Sequence, residues 1–201
     1  MRNQILCGLV SLALLLLATP SFSQSTAEDP VDKIKDDQNS SVLNTLFDAI
    51  RQDDTTLFDE VLPTIEDVDA ADGRGSTALI LAAYYNRLYM LDKLLYAAAN
   101  PNVEGAMGDP IHGAAYKGFT EIIKHLVYHG ASLDVTDSQG STPLHYAVLG
   151  SNCELVEFLL ARGARYDIDD NSNMTAREYV DKLENPCVIC LFTSCTEETG
   201  E

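Results

Sequence analysis

Positive charge is scarce in this chain. Thirteen Lys and Arg stand against 31 Asp and Glu in 201 residues, for a net charge of −18. A surface that acidic repels phosphate, which argues against non-specific nucleic-acid binding and against docking on anionic lipid. Long apolar runs are missing too: none reaches the roughly 18 residues that a spanning helix needs, which argues against an integral membrane protein. There is no Ser-His-Asp signature, no phosphate loop and no H-E-x-x-H. What remains is ordinary for a folded chain, with 46% hydrophobic and 22% charged residues, and disorder throughout is not expected.

The first residues read as a leader. Met1 to Gln4 carries one positive charge, Ile5 to Ala18 is mostly apolar, and Pro20 precedes the small-residue frame Ser21-Phe22-Ser23. This is the pattern of a secretory signal peptide, residues 1–23, with cleavage expected before Gln24. Cys7 has no lipobox around it, so a lipoprotein is not expected. Residues 24–42 are polar and charged and read as a flexible linker; residues 194–201 read as an acidic tail. Export to the periplasm, or secretion, is the expected localisation. Two glycosylation sequons, Asn39-Ser40-Ser41 and Asn173-Met174-Thr175, matter only in a eukaryotic source.

The middle of the chain repeats itself. Thr142-Pro143-Leu144-His145-Tyr146-Ala147 is followed by a second apolar segment, Glu154 to Leu160, and then by Gly163-Ala164. Thirty-three residues earlier, Asp109-Pro110-Ile111-His112-Gly113-Ala114 is followed by Glu121 to Val127 and Gly130-Ala131. Thirty-two before that, Thr77 to Ala83 precedes Met90 to Leu95. Each first segment carries small Ala residues that allow close helix approach. Each second segment places apolar residues three and four apart, as a helix does: Leu155, Val156, Leu159 and Leu160 in the last copy. Gly130 and Gly163 sit where that helix must stop. Asp72-Gly73-Arg74-Gly75 and Asp137-Ser138-Gln139-Gly140 read as turns between copies. No copy can bury its apolar face alone, so stacking must make the core.

On the T-P-L-H-x-A motif at Thr142 to Ala147, its variant at Asp109 to Ala114, and the Gly-Ala endings in phase with both, the chain resembles the ankyrin repeat family. The resemblance covers roughly Leu43 to Phe192, within an expected repeat domain of residues 43–193. It implies an all-α solenoid of about five helix-turn-helix units joined by β-hairpin fingers. Leu46 to Leu62 fits a degenerate first unit, and Thr175 to Phe192 a last one with a short second helix, Pro186 to Thr193. Asn86-Arg87 departs from the family's Gly-His turn, and the finger Val103 to Gly108 is one residue short.

The resemblance also implies function. In this family the concave side, made of finger tips and first helices, binds other proteins. Here it offers Tyr84, Tyr85, Tyr116, Lys117 and Leu149 from the helices, and Arg74, Ser76, Met107, Asp109, Gln139 and Ser141 from the fingers. Tyrosine brings contact area and a hydroxyl at low entropic cost, which suits recognition. The expected partner is another exported protein with a basic surface, bound by a monomer that assists, protects or neutralises it without chemistry of its own. No cofactor or metal is expected. His112 and His145 recur at one repeat position and read as structural; His125 and His129, four apart, read as a solvated helix face rather than a metal pair.

Cys153, Cys187, Cys190 and Cys195 leave three readings open. They could form disulfides, since an exported chain meets an oxidising compartment. They could hold zinc as four thiolates. Or Cys187-x-x-Cys190 could act as a thiol-disulfide redox pair, which is the alternative function.

Overall fold

The computed structural model describes residues 30–105 and 108–197, with side chains described for 40–105 and 108–193. The expected leader, residues 1–23, and the first part of the expected linker lie outside them. The described chain forms α1 (Pro30–Gln52), α2 (Thr55–Val61) with a short 3-10 turn (Leu62–Thr64), α3 (Ala78–Tyr84), α4 (Leu88–Tyr96), α5 (Pro110–Lys117), α6 (Thr120–Tyr128), α7 (Pro143–Leu149), α8 (Cys153–Ala161), α9 (Ala176–Leu183) and α10 (Pro186–Glu197). The hairpins between units are reduced to isolated antiparallel bridges, Ala71 to Thr77 and Asp169 to Thr175.

The helices start where the sequence supplies caps. Side chains of Asp54, Thr77, Thr142, Asn152 and Thr175 each accept from a backbone N–H three residues on. Pro110 and Pro143 occupy the first turn, where a missing N–H costs nothing. The helices end at residues with positive φ, and these carry the repeat in the backbone itself. Turns inside units fall at Asp53, Asn86, Gly118, Ser151 and Glu184; finger turns fall at Gly75, Gly108, Gly140 and Asn173. The 32- to 33-residue period therefore extends through the first and last units, where the motif has decayed.

First helices stack on first helices (α1, α3, α5, α7, α9), and α4 packs on α6 and α8 on α10. The seam between first helices is lined by small residues: Ala82, Ala83, Ala114, Ala115 and Ala147 are all buried. Larger apolar side chains fill the space between layers, including Phe47, Phe58, Met90, Leu91, Ile122, Ile123, Leu155 and Leu159. At about 1.5–3 kcal/mol for each fully buried large side chain, this shared core is the main stabilising term, and it is completed only when units stack.

Polar groups hold the register between units. His145 Nδ1 accepts from the Thr142 N–H at 3.0 Å, which leaves the proton on Nε2, 3.2 Å from the Met174 carbonyl in the next finger. His112 repeats this, with Asp109 N–H on one side and the Val135 carbonyl at 3.1 Å on the other. Both rings are buried and structural. In the last unit Glu178 takes the same position and turns back, accepting from the Thr175 N–H at 2.9 Å. The Asn86-Arg87 departure has a purpose of its own. Arg87 donates to the Ile50 and Arg51 carbonyls at the end of α1 and pairs with Asp53, so a guanidinium caps the preceding helix. Asn152 bonds the Gly118 carbonyl at the corresponding seam further along.

Two boundaries read from composition are corrected. Residues 30–42, expected to be linker, are helical and continuous with the first unit. Low apolar content says little about helix propensity, and this stretch has no Gly and has Pro only at the start. The last helix is not short, and the tail does not begin at 194, because α10 runs on to Glu197.

Candidate functional site

The concave side contains a groove of about 640 Å³. Its construction follows from one repeat position. The residue after the motif His is Tyr146 in the fourth unit and Tyr179 in the fifth; the second unit has Leu81 there, and the third has Gly113. Side chains at this position lie against the root of the finger. Tyr146 donates its hydroxyl to Asp137 in a short hydrogen bond, and Tyr179 donates to Asp170 at 2.7 Å. At Gly113 there is no side chain, and a Cβ built there would only touch Tyr84 at 3.6 Å. The absence opens a notch between α3 and α7, and the groove runs through it.

Tyrosines form the walls. Tyr84 and Tyr85 meet edge to face with centroids 5.3 Å apart, and Tyr116 meets Tyr146 likewise at 5.8 Å. Lys117 places its ammonium over the Tyr84 ring at 4.5 Å and over Tyr116 at 5.7 Å, a cation–π arrangement. Tyr116 is 66% exposed and Tyr85 38%, so much aromatic surface faces solvent with no protein cover.

The carboxylates divide along the groove. At one end Asp72 pairs with Arg51 at 3.3 Å and accepts from the Arg74 and Ser76 N–H groups. At the other, Asp137 accepts from the Gln139 and Ser141 N–H groups as well as from Tyr146. Burial and the Asp137 hydrogen bond push the Tyr146 hydroxyl up to about 12. Asp109 is 8% exposed, and burial raises its carboxyl above the usual range, with Glu104 adding to the rise. Among the described residues no Lys or Arg forms an ion pair with Asp109 or Asp137.

Of the eleven residues expected on the concave side, Arg74, Ser76, Tyr84, Tyr85, Asp109, Tyr116 and Gln139 line this one groove, and Ser141 bonds Asp137 through its backbone N–H. Lys117 sits on its rim over Tyr84. Leu149 is exposed at the end of α7 but does not line it, and Met107 lies outside the described residues. Sequence reasoning missed Gly113, Asp137 and Tyr146. The signal was present: aligned copies show glycine where the others carry Leu or Tyr.

On the opposite side His125 and His129 line one shallow pocket with Asp92, Tyr96 and Tyr128. His125 Nδ1 lies 2.7 Å from Asp92 of the preceding unit, and His129 is flanked edge-on by Tyr96 and Tyr128. Cys153 and Cys187 are joined by a disulfide, with Cα atoms 6.2 Å apart, linking α8 to α10. This pairing takes Cys187 away from the Cys187–Cys190 couple that the redox reading needs, and two thiolates from the zinc reading. The side chain of Cys195 lies outside the described residues.

Residues 105–172 match a family model described as ankyrin repeats in three copies, and residues 74–106 match the single ankyrin repeat. Three curated relatives are similar to part of the chain. The chain is 30% identical over 104 residues to an inactive serine/threonine-protein kinase, TEX14, of Bos taurus, covering 51% of this chain and 7% of that protein. It is 29% identical over 117 residues to the palmitoyltransferase AKR1 of Lachancea kluyveri, covering 56% and 16%. It is 33% identical over 98 residues to the E3 ubiquitin-protein ligase hecd-1 of Caenorhabditis elegans, covering 48% and 4%. The chain thus spans less than a fifth of each relative's length.

Proposed function

Because the chain belongs to the ankyrin repeat family, and so is a protein-interaction module, we propose that its concave groove is the docking face for another exported protein with a basic surface. The observation that carries this reading is the tyrosine cluster of exposed Tyr85 and Tyr116 and half-buried Tyr84, with Lys117 laid over two of its rings. Exposed tyrosines beside a deep groove are the composition of recognition surfaces, and a few such anchors carry most of an interface's energy. The chain's net charge of −18 favours a basic partner by steering. In this reading the protein assists, protects or neutralises its partner by covering it, as a monomer and without chemistry of its own.

Export rests on the leader pattern of residues 1–23. N-terminal sequencing of material recovered from the periplasm or the medium should begin at Gln24. Intact Met1 to Ser23 in a membrane fraction would count against it. The binding reading is tested by affinity capture of the mature protein from that compartment, followed by mass spectrometry. A partner retained by the parent and lost by Tyr85→Ala and Tyr116→Ala supports it. Capture indifferent to Tyr84, Tyr85 and Tyr116 together overturns it.

A further inference from the structure

We infer that the notch at Gly113 is an arginine-anchor site: a discrete pocket that takes one arginine side chain from the partner, stacked on the tyrosine walls and paired with Asp109 and Asp137. This rests on the docking reading above and adds the chemistry of the residue that enters.

Three independent features point to a planar cation. First, the space is specific to one unit. Leu81, Tyr146 and Tyr179 carry side chains at the equivalent position elsewhere, whereas at Gly113 the groove runs past bare backbone, with Tyr84 the nearest neighbour at 3.6 Å from where a Cβ would sit. Second, the walls already hold a cation. Lys117 places its ammonium 4.5 Å from the Tyr84 centroid, showing that this ring face is turned to accept positive charge. A guanidinium stacks on such a face more readily than an ammonium because it is flat and more weakly hydrated. Third, the charge at the closed end is uncompensated. Asp109 and Asp137 line the same groove, whereas the groove's two arginines are placed elsewhere: Arg51 is committed to Asp48 and Asp72, and Arg74 lies exposed at a finger tip. A buried carboxylate such as Asp109 is costly without a partner charge, and an incoming guanidinium supplies that charge together with donors in a fixed fork.

The occupant is therefore neither an aliphatic nor an aromatic side chain. Either would fill the notch and leave Asp109 desolvated beside it. Lysine would satisfy the charge but, as a compact and strongly hydrated ammonium, would stack less well than a flat guanidinium.

The probes are acetylated, amidated pentapeptides Gly-Gly-X-Gly-Gly with X as arginine, citrulline, lysine or leucine. They are titrated into the full-length mature protein labelled with nitrogen-15. The arginine peptide should shift the amides of His112, Gly113 and Tyr146 saturably. Citrulline, isosteric but uncharged, should bind more than about tenfold more weakly. Gly113→Leu places in the third unit what the second already carries, and should abolish the shifts while melting like the parent. Asp109→Asn keeps the cap, removes the charge, and should weaken the arginine peptide by at least about tenfold. If Gly113→Leu fails to fold, Asp109→Asn decides alone. Equal binding of arginine and citrulline, shifts that map away from the notch, or unchanged binding by a folded Gly113→Leu each overturn the anchor. Loss of the anchor while Tyr85→Ala still abolishes partner capture would leave the docking face standing; capture indifferent to the tyrosines would remove the face itself.

Discussion

His145 in the fourth unit and Met174 in the fifth are joined by a hydrogen bond of 3.2 Å from the imidazole Nε2 to the backbone carbonyl. The same ring's Nδ1 accepts from Thr142 at the head of its own helix. One side chain thus closes a cap and fixes a neighbouring finger. Replacing His145 with alanine leaves the Thr142 N–H and the Met174 carbonyl without that partner. We expect a loss of about 1–3 kcal/mol in urea unfolding, with partner affinity per folded molecule unchanged. Full stability together with lost binding would reverse the structural assignment of His145.

Arg87 ties the first unit to the second. Its guanidinium reaches the Ile50 and Arg51 carbonyls and Asp53 together. Lysine carries the charge but offers its three donors from one nitrogen, where Arg87 reaches these acceptors from Nε, Nη1 and Nη2. Arg87→Lys should therefore destabilise by about 1–2 kcal/mol, and hydrogen exchange should speed up in the last turn of α1 before any other helix. An unchanged exchange pattern there would show that the cap carries no weight.

The Cys153–Cys187 bridge joins the last unit to the body of the stack. That unit has a neighbour on one side only, so it should fray first. Reduction should lower the melting temperature by the equivalent of about 2–4 kcal/mol, chiefly by loosening residues after Asp170. Hydrogen exchange with and without reductant locates the effect. Equal protection of 175–192 in both states would mean that the bridge clamps nothing.

Alkali offers a second handle on the groove. Tyr146 is held protonated to about 12 by burial and by its bond to Asp137, against an ordinary value of 10. Its stabilising contribution is fully present below pH 10 and is lost as the pH rises through about 12. Tyr179 is shifted in the same direction, first by its bond to Asp170 and then by burial. Stability should fall across that window, and Tyr146→Phe should flatten the fall while lowering stability at neutral pH. A parent and a Tyr146→Phe variant with parallel alkaline curves would contradict this.

The sequence displayed the middle of the fold well and its ends poorly, for a physical reason. Thr142, Pro143, His145 and Gly163 each serve a distinct role as cap, first turn, staple and stop, and together they make a readable motif. In the outer units the same backbone turns are made by Asp53, Asn173 and Glu184, which reach positive φ without announcing it. Residues 30–42 looked like linker because composition measures what a segment can bury, whereas α1 extends there on propensity. The tyrosines of the groove were legible from their repeat phase. The notch was not, because it is made by the side chain Gly113 lacks. Four cysteines could pair in three ways, and only the stacking of α10 on α8 brings Cys187 to Cys153.

The box of Glu178 turns inward, where the histidines of the two preceding units also reach outward. His112 and His145 each extend a donor forward, and without a successor that donor would be left buried and unmet. Neither unit can therefore be the last; each commits the chain to propagation. Glu178 spends its acceptor on its own Thr175 and asks nothing of a following finger.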